Sequence, residues 1–452
     1  MKNNRLLLIL IICGQLLFVL YYLILSFHNR PCSDDLYFYA NLTVKGWFHS
    51  ISGMEMNIRW AGYLLFNTVF LLQSGFEHIH NNIFIFDLFS LALILFSVYR
   101  LFREISLRLF EKKVPFYFIM LTSMVFVSAF YFSTSQAAEC WFWTIASVLY
   151  LIPLALFGLG TACLISGKKT LLNYLCTALC FFYIGGAIEN IALIVIVFLL
   201  FAIIYKSFYR KNSSNSVTLL LIALISCSVL FVIQIFSEGI SNRIGIENKG
   251  LTFDWWRIYQ VLLQFKSLVF VLFLSLAFIL GQVLRTSDYI IPVLSIRKML
   301  YINLIAVVLT ALLTFLPLLY VFGNLGPERA WIPLNYMVCA SFFFWSFYSG
   351  NKLAIKNRDF SIIKYIMAMS AIVVMSLYVF RHYPQISLFS KAYDERTALL
   401  INHKLSGTTT PVYCEKLPDP GPLPAQELNN YDFRTNKGLE RAMQLPFKVY
   451  LK

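Results

Sequence analysis

The sequence predicts an all-α polytopic membrane protein, because composition, segment length and the placement of charge all favour that class. Hydrophobic residues make up 59% of the chain and charged residues 13%, against roughly 45–50% and about 25% in soluble domains. Apolar segments recur at lengths near the roughly 20 residues that a helix needs to cross a bilayer. A lipid environment accepts this apolar surface, whereas a soluble fold of this size could not bury it.

The first apolar segment, residues 6–25, predicts an uncleaved transmembrane helix. It is longer than the apolar core of a signal peptide, and no small-residue cleavage motif follows it. Further spans are predicted downstream, which gives about eleven in total. They lie near residues 83–99, 114–133, 142–164, 171–186, 189–205, 217–236, 258–284, 299–321, 332–350 and 363–380.

The predicted organisation is a membrane domain, residues 1–380, followed by a tail. Two segments lie outside the predicted spans. The first external loop, residues 27–82, contains an apolar stretch at 63–72 that is too short to cross and predicts an interfacial helix. The tail, residues 381–452, is Pro-rich around 418–424 and otherwise mixed in polarity. It predicts a small external α/β appendage packed on the membrane domain, since so short a segment has little core of its own.

The basic residues predict the orientation of the chain. With the N-terminus in the cytoplasm, cytoplasmic segments carry 19 Lys and Arg residues and external loops carry seven. This asymmetry follows the positive-inside rule and puts the tail outside. The net charge of +15 is therefore explained by basic residues that mark cytoplasmic loops, and no nucleic-acid partner is predicted.

A second group of polar residues does not follow this charge pattern and gathers at the predicted external face. Any one of them alone is adequately explained as a solvated loop charge. Together they predict a shared, water-accessible site, since buried charges in membrane proteins usually face a cavity or a partner. They are Asp34, Asp35, Arg59, Asp87, Glu139, Glu189, Arg243, Glu328 and Arg329.

Acids and arginines in one site suit transfer from a phosphate-linked donor. A carboxylate can accept the proton of an attacking hydroxyl. Arginine can hold a phosphate through paired hydrogen bonds and stabilise the charge that develops as it leaves. A lipid-borne phosphate would reach such arginines laterally, from the membrane interface.

The order of these features resembles the GT-C superfamily of membrane glycosyltransferases. Its members carry an acidic pair directly after the first helix, as in Ser33-Asp34-Asp35-Leu36-Tyr37, followed by interfacial helices. The chain is still more similar to a family of uncharacterised bacterial membrane proteins of that type. The matching stretches are Arg59-Trp60-Ala61-Gly62, Glu139–Trp143 with Tyr150, Gly185–Glu189, Glu238–Arg243 and Arg329. Glu238 and Ile240 depart from the Pro and Asn of that family, and the Arg59 element is permuted.

The resemblance implies a GT-C-like fold and an inverting transferase in the bacterial cytoplasmic (inner) membrane. Its donor would be a polyprenyl-phosphate-linked sugar and its acceptor a glycan or lipid. Asp34 would be the base and Asp35 its partner or a substrate anchor, while Arg243 and Arg329 would hold the carrier phosphate. The predicted substrate-binding residues are Arg59, Asp87, Glu139, Trp143, Glu189, Arg243 and Arg329.

Other interpretations stay open at the level of sequence. A lipid-linked glycan transporter or polymerase would also use external arginines, but it should carry polar residues through the middle of several spans. A non-catalytic scaffold is a further alternative. His78 and His80 form an HxH pair without a clear third ligand, so no metal ligand is predicted and dependence on a divalent cation is left open.

Overall fold

A computed structural model gives the fold of most of the chain. It describes residues 4–52, 59–70, 79–110, 112–134, 136–209, 214–236, 256, 259, 265, 267–292, 296–353, 358–425, 427–431 and 433–452. Fourteen α-helices and two short β-strands are labelled here in chain order. The helices are α1 Arg5–His28, α2 Ser33–Ser52, α3 Trp60–Phe70, α4 Ile79–Leu109, α5 Phe116–Ser133, α6 Ile152–Ser166, α7 Leu171–Ala187, α8 Glu189–Tyr209, α9 Ser214–Ile235, α10 Leu268–Arg285, α11 Ile296–Phe322, α12 Ile332–Lys352, α13 Arg358–Leu405 and α14 Arg434–Met443; the strands are β1 Val412–Cys414 and β2 Val449–Leu451.

Within the described ranges, ten helices are long and apolar enough to cross a membrane. Each of them overlaps one of the predicted spans, so the prediction of a helical multi-pass membrane protein is confirmed. The remaining predicted span, 171–186, coincides with α7, a shorter apolar helix of 17 residues. Many side chains on these helices are exposed and apolar, as on Leu6, Phe208 and Leu268, which suits contact with lipid.

The two ends of the helix bundle differ in charge. One end, called here the basic end, carries Lys112 and Lys113 after α4 and Lys168 and Lys169 between α6 and α7. The opposite end, called the site end, carries the start of α2 and the junction of α7 with α8. It therefore holds most of the acids and arginines that the sequence singled out.

Small residues set the closest helix contacts. A Cβ atom on Gly185 of α7 would meet the backbone carbonyl of Cys227 on α9. Gly281 of α10 and Gly350 of α12 face backbone carbonyls of each other's helix in the same way. Glycine allows such backbone-to-backbone approach, which is a common means of packing membrane helices.

Two helices of the first loop, α2 and α3, are not among the ten candidate spans, and α3 covers residues 63–70 of the apolar stretch that predicted an interfacial helix. Both α2 and α3 have a buried, apolar side, and they pack against each other. α3 also packs on α7, where Gly186 meets Ala61. The C-terminal helix α14 covers α2, so the C-terminal segment lies over the helix that begins with the acidic pair.

The last membrane helix continues far beyond its predicted end. α13 is 48 residues long, which at 1.5 Å per residue gives roughly 70 Å, about twice the thickness of a hydrocarbon core. Residue 381, the predicted start of the tail, lies inside this continuous helix. The segment after it forms the parallel pair β1–β2 and helix α14.

Candidate functional site

The acidic pair lies at the start of α2, where the chain turns back after α1. Asp35 is buried, with 1% of its surface exposed, whereas Asp34 is half-buried. A helical position and its neighbour point about 100° apart, so only one of two adjacent side chains can face the protein interior. Asp34 therefore is the member of the pair that can meet a substrate.

Asp35 holds the local backbone together. Its Oδ2 accepts a hydrogen bond from the backbone N–H of Cys32 at 3.1 Å, and its Oδ1 accepts one from Ile145 at 3.2 Å. The first bond is the reach-back half of a capping box at the start of α2. The second ties α2 to residues 138–151. Burial raises the pKa of Asp35 to about 8, although both backbone bonds act to lower it.

Asp87 is fully buried on α4 and takes part in a second hydrogen-bond network near the start of α2. Its carboxylate accepts a hydrogen bond at 2.9 Å from the side-chain amide of Asn29, which also donates to the carbonyl of Phe142 at 2.7 Å. Asn29 thus joins α1, α4 and the 138–151 segment. Asp87 is placed to hold this network, and it has no exposed surface for a substrate.

Four carboxylates converge around Cys32. Burial, followed by the charges of Asp35, Asp34, Glu139 and Asp87 in that order, raises the pKa of the Cys32 thiol well above its ordinary value. These four residues come from three separate parts of the sequence. The structure therefore brings the predicted acids from α2, α4 and the 138–151 segment into one region.

Glu139 and Arg329 form an ion pair at the site end. The Arg329 Nη1 atom lies 2.8 Å from the Glu139 Oε2 atom, and both side chains are 30% exposed. The guanidinium also lies over the Trp143 ring, 4.9 Å from its centre. Asp34 interacts electrostatically with Arg329. An acid, an arginine and an aromatic ring thus form a cluster within electrostatic range of Asp34.

Irregular helix geometry places these groups. Residues Ala138–Phe142 and Ser147–Leu151 are both π-helical, with the short turn Thr144–Ala146 between them. π-helical turns are rare and often occur at functional sites. Glu139 lies on the first of these turns and Trp143 directly follows it, and both contact Arg329 on the 3₁₀ turn Glu328–Trp331.

A second ion pair joins Arg59 and Glu189. The guanidinium makes two contacts with the carboxylate, Nε to Oε1 at 3.4 Å and Nη2 to Oε2 at 3.1 Å. Arg59 directly precedes α3, and Glu189 begins α8 after the break at Ile188. The glycines that let α7 pack on α9 and α3 explain this meeting, because they fix where Glu189 emerges. Burial lowers the pKa of Arg59, but Glu189, Tyr150 and Tyr63 together outweigh it, and the net direction is upward.

Tyr150 connects the two ion pairs. It is buried on the second π-helical turn and interacts electrostatically with both Arg59 and Arg329. It also lines a cavity of about 170 Å³ together with Arg59, Glu189 and the last turns of α11. Tyr320 and Ile235, on the outer wall of that cavity, are 68% and 40% exposed. The cavity therefore connects Arg59 with the apolar surface of the bundle.

Comparison with known proteins does not assign this chain to a family. A scan against protein-family models gives no match, and a search of curated proteins finds no relative of this chain. The argument for function accordingly rests on the geometry of the site.

Possible metal ligands do not cluster in the described residues. No group of three or more His, Cys, Asp or Glu side chains is arranged to hold a metal ion there. His80 instead lies 3.1 Å from Arg30, whose positive charge opposes a cation, and His78 lies outside the described residues.

The structure also identifies residues that the sequence did not single out for this site, and it leaves one predicted residue undescribed. Asn29, Asn190 and Tyr150 position the acids and arginines; Asn190 donates to the carbonyl of Ala330, next to Arg329, at 2.9 Å. A buried amide has no sequence signature, so only Tyr150, through its motif, was visible beforehand. Arg243 lies outside the described residues.

Proposed function

We propose that this protein is an inverting membrane glycosyltransferase that takes a sugar from a polyprenyl-phosphate carrier. The observation that carries the proposal is the placement of half-buried Asp34 beside the Glu139–Arg329 pair and Trp143, with a second arginine reached through Tyr150. A base, a phosphate-binding cation and a flat apolar ring are the groups that this reaction requires. They lie at one end of the bundle.

The reaction follows from the chemistry of these groups. Asp34 accepts the proton of the acceptor hydroxyl as its oxygen attacks the anomeric carbon of the sugar. The bond between that carbon and the phosphate oxygen breaks on the opposite face, and polyprenyl phosphate leaves with the electron pair. Arg329 stabilises the phosphate charge as it develops. Trp143 offers its ring to a sugar face, and Glu139 and Glu189 bind sugar or acceptor hydroxyls.

The carrier would enter from the membrane through the cavity at Tyr150. Its apolar outer wall suits an isoprenoid chain, and Arg59 at the inner wall is a first contact for the phosphate. Arg243 follows Ile235 by a few residues in the sequence and is proposed as a further phosphate ligand. Arg59 and Arg329 each pair with a carboxylate, Glu189 and Glu139 respectively. The carboxylate neutralises the arginine in a low-dielectric region until the carrier phosphate takes the place of the carboxylate.

A transporter or polymerase is less well supported. Such a protein should carry charge through the middle of several spans. In the described spans the buried charged groups lie toward the helix ends, Asp87 near the site end and the Arg100–Glu104 pair near the basic end. Deeper polar contacts are neutral, as between Gln15 and Ser128 at 2.7 Å. This distribution favours chemistry at one end of the bundle.

The same proposal includes the finer topology. α7 would be an eleventh span in a GT-C-like domain, with the N-terminus cytoplasmic and the tail on the external face of a bacterial inner membrane. The C-terminal segment, which packs over α2 through α14, would form an appendage that shapes the acceptor side. EDTA in the assay tests whether the reaction depends on a divalent cation.

The deciding experiment compares cells with and without the gene by mass analysis of surface glycans and lipid-linked sugars. If the protein is a transferase, cells without the gene should carry a surface glycan that lacks one sugar. The polyprenyl-phosphate donor of that sugar should accumulate in the same cells. Cells that carry the Asp34→Asn variant at normal abundance should show the same change. Unchanged glycans and unchanged donor pools in both strains would refute the proposal.

A further inference from the structure

A second cavity lies at the basic end, on the opposite side of the membrane domain from the candidate site. It has a volume of about 170 Å³ and lies between the last turns of α4, the first turns of α5 and the middle of α12. Both α4 and α12 pack against α5, so α5 forms the floor of a cleft between them. None of the site residues discussed above lines it.

The cleft is built for a hydrocarbon chain. Apart from Ser106, Thr122 and Tyr336, the side chains that line it are hydrocarbon. Phe118 and Phe126 on the floor are buried, with 2% and 3% of their surfaces exposed. Residues at the rim are only partly buried, so the cleft is open to the surface of the bundle. An unfilled cleft would forfeit dispersion contacts along its whole lining, which an acyl chain from the bilayer would supply.

The mouth of the cleft is basic. Phe110 and Ile291 line its end, and the loops that follow α4 and α10 meet there, where the Tyr289 hydroxyl donates to the carbonyl of Lys113 at 3.0 Å. This contact places exposed Lys112 and Lys113 against the loop that follows α10. Arg285, the last residue of α10 and the neighbour of the lining residue Leu284, donates to the carbonyls of Asn351 and Lys352 at 2.9 and 2.8 Å.

Lys352 joins the same group. Its ammonium donates to the carbonyl of the lining residue Ile291 at 2.5 Å. The nearby acids in the sequence, Glu111 and Asp288, are fewer than these four cations. The mouth therefore has a net positive charge.

We propose that this cleft is a binding site for an anionic phospholipid, with one acyl chain between α4 and α12 and the headgroup phosphate against Lys112, Lys113 and Arg285. Basic pockets between membrane helices favour anionic headgroups in this way. The apolar cleft supplies affinity for the chain, and the basic mouth supplies selectivity for charge. The site is independent of the proposed transfer reaction.

Native mass spectrometry of the full-length protein in detergent tests the proposal, with phosphatidylglycerol and phosphatidylcholine of matched chains as probes. One phosphatidylglycerol should stay bound in preference to phosphatidylcholine. The double variant Lys112→Gln, Lys113→Gln should bind phosphatidylglycerol about tenfold more weakly. The matched control Lys168→Gln, Lys169→Gln changes two exposed lysines at the same end but away from the cleft, and should bind as the unmodified protein does.

Variants that fill the cleft test whether the acyl chain binds there, separately from the attraction of the headgroup to the basic residues. Ala340→Phe and Ser106→Phe each place a ring in the cavity, and both variants should lose the bound lipid of either class while eluting as folded protein. Equal binding of both phospholipids, equal effects of the two lysine pairs, or retention of lipid by folded filled variants would overturn the proposal. A dimer that covers the cleft without lipid would overturn it as well. If the filled variants do not fold, the comparison of the two double lysine variants tests the proposal.

Discussion

At the scale of single residues, the two adjacent aspartates of α2 have different environments and should respond differently to the same substitution. Asp35 is buried and accepts two backbone hydrogen bonds, whereas Asp34 is half-buried and lies within electrostatic range of Arg329. A capping function is the alternative explanation of an acidic pair at a helix start, and Asp35 supplies that function. Asp34 is therefore left as the candidate base.

Asp34→Asn should abolish transfer without loss of folding. The amide has nearly the size of the carboxylate but cannot take up a proton, and loss of a general base typically lowers the rate about 10²–10⁴-fold. The check is transfer by the purified variant together with its melting temperature in detergent. Transfer near the normal rate would show that Asp34 is not the base.

Asp35→Asn should act through stability. An amide nitrogen has no lone pair for a backbone N–H, so the bond from Cys32 or Ile145 is lost at a cost of about 1–3 kcal/mol. The expected result is a lower melting temperature than that of Asp34→Asn at the same pH. Equal melting temperatures for the two variants would contradict the assigned roles.

The titration of Asp35 predicts a pH dependence. Its pKa is about 8 in the folded protein and 3.8 in an unperturbed carboxyl group, so the folded state binds one more proton between these values. Its contribution to stability is thus fully present below about pH 4 and is lost as the pH rises through 8. Thermal melts across this range should show a decline that is smaller in Asp35→Asn. Parallel pH profiles would show that Asp35 does not titrate in this window.

Arg329→Lys separates phosphate binding from a structural ion pair. Lysine keeps the charge but lacks the planar fork that matches phosphate and stacks on Trp143, so binding of undecaprenyl phosphate to the purified protein should fall at least tenfold. Glu139→Gln should keep or strengthen that binding, because it removes the competing carboxylate. The control is Arg381→Lys, at an exposed arginine on α13, which should bind normally. Equal losses in Arg329→Lys and Glu139→Gln would favour the structural role.

At the scale of elements, close helix packing at glycines governs the bundle. A methyl group on Gly350 would collide with a backbone carbonyl of α10, and overpacking of this kind typically costs about 1–3 kcal/mol. Gly350→Ala should therefore lower the melting temperature. Gly14→Ala is the matched control, because its new Cβ atom would lie 3.5 Å from the nearest atom, in ordinary contact. A similar melting temperature for both variants would show that α10 and α12 can separate without cost.

The spans could be predicted from the sequence because each depends on a local property, apolar length. The same is true of the acidic pair after α1. The roles of Asn29 and Asn190 depend on long-range contacts instead, and no local pattern encodes these. The length of α13 was missed for a related reason: its polar continuation past residue 380 has none of the hydropathy that marks a span.

At the scale of the whole molecule, charge is sorted between two ends. The basic end carries exposed lysines, while the site end pairs its arginines with carboxylates, as in Arg59–Glu189 and Glu139–Arg329. A positive surface at one end suits anionic lipid headgroups. Neutralised arginines at the other end suit a site that exchanges one anion, a carboxylate, for another, a phosphate. The two proposed sites thus lie at opposite ends of the bundle, and each suits the charge of its own end.

Helix α7 decides the topology of the tail, because an odd number of spans puts the two termini on opposite sides. It begins after Lys168 and Lys169 at the basic end, where Arg108 donates to the carbonyl of Ile165 at 2.8 Å. It ends beside Glu189 at the site end. A helix of 17 residues covers roughly 25 Å, and slight local thinning of a bilayer accommodates such a length.

The final prediction is therefore that the C-terminus lies outside the cytoplasm and the N-terminus inside. A reporter that is active only outside the cytoplasm should be active when fused after Lys452 and inactive when fused before Met1. A second fusion after Lys169 should be inactive, and one after Ala187 active, if α7 crosses. An inactive but stably expressed fusion at Lys452 would reverse the side on which the tail and its neighbour α2 lie, and with them the side on which the proposed sugar transfer takes place.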